Sequence, residues 1–154
     1  MSEYKATVEW RRQGADFDYQ TYNRSHTLAF EGGIRVPASA APANIPPTAA
    51  GAPGVDPEQA FVASLSSCHM LWFLHLACRA KFIVDRYVDE ASGVLEKDAE
   101  GRMAMTRATL RPVVTYAGRA PSVEEHAQLH EGAHDKCFIA NSVKTELVVE
   151  PRLA

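Results

Sequence analysis

The sequence predicts an α+β domain. Three observations carry that prediction. Two runs near the N-terminus alternate with period two, and residues 82–97, residues 102–116 and the C-terminal run read as further strands. Two other stretches carry helix-start signals and apolar residues at steps of three and four. The strand-like runs are separated by these two helices, which is the pattern of an α+β arrangement. At 154 residues, the chain fits one domain, 1–154, large enough to bury a core.

YKATVEW places Tyr4, Ala6, Val8 and Trp10 on one face and Lys5, Thr7 and Glu9 on the other, as a half-buried strand does. QTYNRSHTLAF also alternates. Read as one strand, it points Arg24 and His26 to the same face as Tyr22, Leu28 and Phe30. A cation on that face needs a partner. Gly32 and Gly33 turn the chain into a short strand, IRV. Residues 37–55, PASAAPANIPPTAAGAPGV, hold five prolines and two glycines and read as a loop crossing the molecule, over a site or a partner subunit.

DPEQAFVASLSSCHMLWFLHLACRAK is the strongest helix. Asp56 suits the N-cap, Pro57 the first helical position and Gln59 the third position of a capping box. Phe61, Leu65, Cys68, Trp72, Leu76 and Arg79 recur at helical steps, and apolar residues cover much of the circumference, as in a central helix. FIVDRYVDEASGVLEK and RMAMTRATLRPVVTY predict two long strands of a hairpin turning near Ala99–Gly101. SVEEHAQLHEGAHDK predicts a second helix, capped by Ser122 with Glu125 three residues on. SVKTELVVEP closes the chain as a strand.

Composition narrows the function classes. The chain is 46% hydrophobic and 23% charged, with net charge −3, so it lacks the basic footprint of a nucleic-acid binder. No uninterrupted apolar run approaches the ~18 residues of a membrane span, and MSEYKATVEW lacks a signal pattern. The expectation is a cytoplasmic protein whose three cysteines are reduced and are inert, catalytic or metal-binding.

Cys68 sits inside the apolar run SLSSCHMLWFL, and Cys137 directly follows the second helix. Cys68 is either a small hydrophobe in a helix core or a sulfur placed for use. A thiol attacks only as thiolate, which needs a neighbouring cation. Arg24 is the candidate cation, and Glu58 a candidate carboxylate to hold it. Cys78 reads as core filler, His69 and His75 as core or interface histidines, and His126 and His130 as surface. His26 is a candidate to line the site. His134-x-x-Cys137 with Cys68-His69 keeps a Cys/His metal protein open as an alternative class. Adjacent helical residues point about 100° apart, which disfavours that ligand set. A non-catalytic dimer binding a small apolar ligand is the third class.

D-P-E-Q-A-F-V-A-S-L-S-S-C-H, Asp56 to His69, resembles the helix motif of the OsmC/Ohr family, the osmotically inducible and organic hydroperoxide resistance proteins. C-F-I-A-N-S-V, Cys137 to Val143, resembles its second motif, and the order of elements agrees along nearly the whole chain. The resemblance implies an OsmC-like fold with antiparallel sheets, a long central helix and a second helix, in an intertwined homodimer. It implies thiol-dependent reduction of organic hydroperoxides, with Cys68 peroxidatic and Cys137 resolving, Arg24 and Glu58 in the family's arginine and glutamate roles, an external thiol or dithiol as reductant, and no cofactor or metal. Glu58 and Cys68 lie roughly 15 Å apart along an ideal helix and about 80° apart around it. Three arrangements relieve that: a bridging Arg24, an irregular helix, or a site assembled across a dimer.

Overall fold

Alternation in the first third of the chain produces three short antiparallel strands, β1 (Ala6–Glu9), β2 (His26–Phe30) and β3 (Arg35–Ala38), in the order β1-β2-β3. In this computed structural model, residues 1–14, 17–49 and 51–154 are described. They group into two compact units, Met1–Ala60 and Phe61–Ala154. In the first unit, β1 pairs with β2 and β2 with β3. The face expected to be half buried leaves Val8 66% exposed.

The Pro/Ala-rich segment, whose first two residues, Pro37 and Ala38, end β3 rather than starting a loop, is anchored to the chain around it. Ser39 donates its backbone N–H to Val55, Val55 donates to Pro37, and Ala38 bridges Val55 in parallel. Gly54 is required here because a Cβ would meet the Ala38 backbone at 2.6 Å. Ser25 Oγ donates to the Ala52 carbonyl and Thr48 Oγ1 to the Gln20 carbonyl, which ties the segment to the chain before β2.

Helix α1 runs unbroken from Pro57 to Arg79. Asp56 Oδ1 accepts the Gln59 N–H at 2.7 Å, as its capping role requires. The buried stripe is Leu65, His69, Phe73 and Ala77, one residue round from the expected Cys68–Trp72–Leu76 line. With a mean hydropathy of 1.4 over its most apolar stretch, α1 is long and apolar enough to cross a bilayer by length and composition. The sequence expectation counted uninterrupted apolar residues, and serines and histidines break that run, whereas the apolar residues around them keep the average high.

Each predicted long strand is two strands joined at a corner. The first gives β4 (Ile83–Asp89) and β5 (Ser92–Lys97); the second gives β6 (Met103–Leu110) and β7 (Pro112–Ala117). Asp89 pins the corner: it accepts the Arg111 backbone N–H at 2.6 Å and the Ser66 hydroxyl at 2.5 Å. The hairpin turn falls where predicted, with Gly101 at φ 77° donating to the Asp98 carbonyl. Helix α2 (Val123–Lys136) starts with a complete capping box between Ser122 and Glu125. Strands β8 (Glu146–Val149) and β9 (Arg152–Leu153) follow.

The sheets of the second unit, β4-β7-β9 and β5-β6-β8, are mixed rather than purely antiparallel. Strands β8 and β9 pair in parallel with β6 and β7. They reach these edges after α2 has carried the chain back, which a tight hairpin could not do. Phe73, Ala77, Phe82, Val114 and Ala133 form the core cluster of this unit. Phe73 is fully buried. Phe73→Ala is expected to cost about 3–5 kcal/mol of unfolding free energy, measured by urea denaturation.

Candidate functional site

The two motif cysteines meet. Cys68 lies on α1 one position before the buried His69 and is half-buried. Cys137 is the C-terminal cap of α2, with its backbone N–H donating to the His134 carbonyl at 3.1 Å. It is fully buried. The Cys137 side chain is in hydrogen-bonding contact with that of Cys68. Burial pushes the Cys137 thiol up to about 11; the Ala140 amide, which donates to Sγ at 3.5 Å, opposes this, and contact with Cys68 adds to it. Both residues are free thiols. Phe138, 67% exposed, meets Trp72 of α1 edge-on at 5.4 Å beside this pair. Cys78, expected in the core, is exposed near the C-terminal end of α1.

Arg24 and Glu58 line one pocket of about 580 Å³ in the first unit, together with Trp10, Phe17, Tyr22 and His26. Arg24 is buried as expected but precedes β2 instead of lying on it. Asp18 accounts for the difference. Its carbonyl accepts the N–H groups of Thr21 and Tyr22, and its side chain accepts that of Gln20, so a turn replaces extended chain. The guanidinium donates to the backbone carbonyls of Tyr22 at 2.5 Å and Tyr19 at 2.7 Å and stands 3.3 Å over the Tyr22 ring. Among the described residues no ion pair joins Arg24 to Glu58. Glu58 instead accepts from Asn44 Nδ2 at 3.5 Å, and its other carboxylate oxygen is buried without a partner. Trp10, Phe17 and Tyr22 pack as a ring cluster with centroids 4.9–6.3 Å apart. His26 does line the pocket, and its Nδ1 bonds the Arg24 carbonyl at 2.9 Å.

A family model described as OsmC-like protein matches residues 49–152. The chain belongs to the OsmC-like family. An OsmC-like protein of unknown function from Vibrio cholerae is 43% identical, covers 99% of this chain and 100% of its own, and superposes with a TM-score of 0.91. Two solved organic hydroperoxide resistance proteins share the fold at lower identity. The one from Bacillus subtilis is 20% identical with a TM-score of 0.63, covering 98% of each chain. The one from Elizabethkingia anophelis is 16% identical with a TM-score of 0.67, covering 99% of this chain and 97% of its own. No curated protein matches the chain.

In this OsmC-like protein, α2 carries a feature that the sequence reading placed wrongly. His126 and His130 are buried, 4% and 2% exposed, not on the surface. His130 Nδ1 lies 2.9 Å from Nε2 of the fully buried His69, with the two rings parallel within 7°. His126 Nδ1 lies 2.9 Å from the Tyr116 hydroxyl. Burial holds all three below the ordinary histidine range, His69 at about 4 and His130 at about 3. The i, i+4 spacing of His126 and His130 was the available signal: it continues to Ala133 on the buried face of α2. The stretch His130–His134, H-E-G-A-H, has the histidine spacing of metal-binding helices. Yet His130 Nδ1 is engaged by His69, and among the described residues no three His, Cys, Asp or Glu side chains are gathered to hold a metal ion.

With iodoacetamide at pH 8, the expected labelling order places the exposed Cys78 ahead of Cys137, whose raised pKa keeps it protonated. Peptide mapping over time reads the order; early labelling of Cys137 would contradict the site geometry.

Proposed function

We propose that this OsmC-like protein is a thiol-dependent peroxidase that reduces organic hydroperoxides. The observation that carries the reading is the contact between the Cys68 and Cys137 side chains. A ligand-binding protein has no need of that juxtaposition; a two-cysteine cycle does. The names of the Bacillus subtilis and Elizabethkingia anophelis relatives, organic hydroperoxide resistance proteins, favour the same class.

Cys68 takes the attacking role. Its sulfur displaces the alkoxide from the distal oxygen of ROOH: the O–O bond breaks, an S–O bond forms, and the thiol proton ends on the alcohol. The sulfur is oxidised by two electrons to sulfenic acid. Cys137 then attacks that sulfur, forming the disulfide and releasing water. Its raised pKa suits it to this second role, since it stays protonated at neutral pH while Cys68 reacts. An external thiol or dithiol returns both cysteines to thiols by exchange. Arg24 stabilises the charge that develops on the leaving oxygen, and Glu58 orients the pocket that Arg24 lines. Support for Arg24 is a buried guanidinium held by backbone carbonyls and a tyrosine face, with no carboxylate neutralising it among the described residues. The cycle belongs to a cytoplasmic setting, where reductants keep such thiols available.

Intact mass before and after one equivalent of cumene hydroperoxide tests the cycle. The wild type is expected to lose two hydrogens, and Cys137→Ser to hold a trappable sulfenate on Cys68. Three unmodified thiols would sink the peroxidase reading and favour a ligand-binding protein. Arg24→Ala is expected to slow Cys68 oxidation about 10²-fold, the order seen when one charge-stabilising donor is removed.

The working unit in this proposal is a homodimer. Val8, Phe17, Ile34, Leu71 and Phe138 are each at least 60% exposed in the single chain, apolar side chains that a second copy would cover in this proposal. Sedimentation equilibrium is expected to return twice the 16.9 kDa chain mass; a monomer at micromolar concentration would refute the assembly.

A further inference from the structure

Two helices distant in sequence must hold two sulfur atoms in contact, and the polar link between those helices is unusual. His69 on α1 immediately follows Cys68. His130 lies on the buried stripe of α2, whose C-terminal cap is Cys137. Their rings meet at 2.9 Å through Nε2 and Nδ1, and Phe73 stacks on His130 with centroids 4.2 Å apart. Gly132 lets the helices close in at this level, since a Cβ there would meet Leu76 Cδ1 at 3.1 Å. Nδ1 of His69 and Nε2 of His130 are buried without partners.

We propose that the His69–His130 hydrogen bond is a clasp that positions Cys68 against Cys137, and that it is favourable only while both rings are neutral, so that acidification weakens it and then releases the cysteine pair. The proposal rests on the reading of Cys68 and Cys137 as a redox pair. Neither histidine touches peroxide; both act through the cysteines they place.

The hydrogen bond needs one ring to donate and the other to accept. A single added proton leaves the bond but buries a cation whose outer nitrogen has no acceptor. A second proton sets two N–H groups face to face and breaks the bond. Among the described residues no carboxylate bonds either ring of the clasp. His69 faces His130 and feels His134 across from it. His130 faces His69, His126 and the Tyr87 ring of β4. His126 is bonded to Tyr116 of β7. Glu131 and Asp135 line the neighbouring cleft with His130 and His134, but both are exposed and neither bonds a ring of the clasp. Both clasp rings titrate lower in the folded protein than the ordinary 6.5. The stabilisation is therefore complete above pH 6.5 and is lost as pH falls from there toward about 4.

The test is the equilibrium between the Cys68–Cys137 disulfide and glutathione, in a Cys78→Ser background, from pH 7.5 to 5. Each turnover consumes one glutathione disulfide and two protein thiols, and yields the protein disulfide and two glutathione thiols. No net proton is exchanged while all thiols stay protonated, so a change between pH 6.5 and 5 belongs to the protein and not to thiol ionisation. Quenched samples are read by intact mass. In the protein with both histidines, the effective concentration of the pair is expected to fall roughly tenfold toward pH 5, the ratio that loss of one buried hydrogen bond supports. His130→Gln, whose neutral amide can still bond His69, is expected to match it at pH 7.5 and to stay level on acidification. A level profile with both histidines present, or a parallel fall in His130→Gln, would overturn the clasp. The experiment contains no peroxide. Failure of the peroxidase cycle with cumene hydroperoxide is thus distinguishable from failure of the clasp.

Discussion

The packing of α2 against α1 is the constraint on which the second unit depends. The two helices supply Phe73, Ala77 and Ala133 to one core cluster and bring Cys137 to Cys68. The interface is not filled with aliphatic side chains alone. Buried histidines at positions 69, 126 and 130 occupy space that leucine or phenylalanine could fill. Neutral imidazoles pack here as flat apolar plates, His130 stacked on Phe73 and His126 edge-on to it, and their few satisfied nitrogens set the register between the helices. Polar groups buried this way contribute less stability than apolar ones of similar shape, but they discriminate one alignment from another.

The corner of the sheets serves the same end. Asp89 accepts from Ser66 of α1 and from the Arg111 backbone, so one carboxylate ties the strand break to the helix two residues before Cys68. Breaking each long strand in two lets β4 and β7 form one sheet while β5 and β6 form another. The first unit follows a separate logic. There a turn at Asp18 folds Arg24 inward, and backbone carbonyls with a tyrosine ring receive its guanidinium. Such a cation keeps more of its charge available than one neutralised by a carboxylate.

Much of the element order was legible in the sequence, because caps and periodicity are local. Asp56 and Ser122 start helices through hydrogen bonds to residues three positions on, Pro57 through its fixed φ, and Gly101 marks a turn its own backbone demands. The cysteine motifs were legible for another reason: each is a short stretch of chain resembling a known family. Arg24 was read correctly as buried and wrongly as strand, since alternation over Gln20–Phe30 continued through a turn that Asp18 decides. The parallel strands β8 and β9 left no local trace, because the edge a strand joins is a choice among distant partners.

The sequence by itself determined an α+β chain, two capped helices, a hairpin turn and the cysteines at positions 68 and 137. Those follow from forces acting over a few residues: caps, backbone freedom and the periods of helix and strand. Tertiary structure decided that Cys137 is buried against Cys68, that His69 bonds His130, and that Glu58 turns to Asn44 and not to Arg24. Burial and side-chain pairing depend on what arrives from elsewhere in the chain, and a histidine on a helix reads the same in sequence whether a sheet covers it or water does.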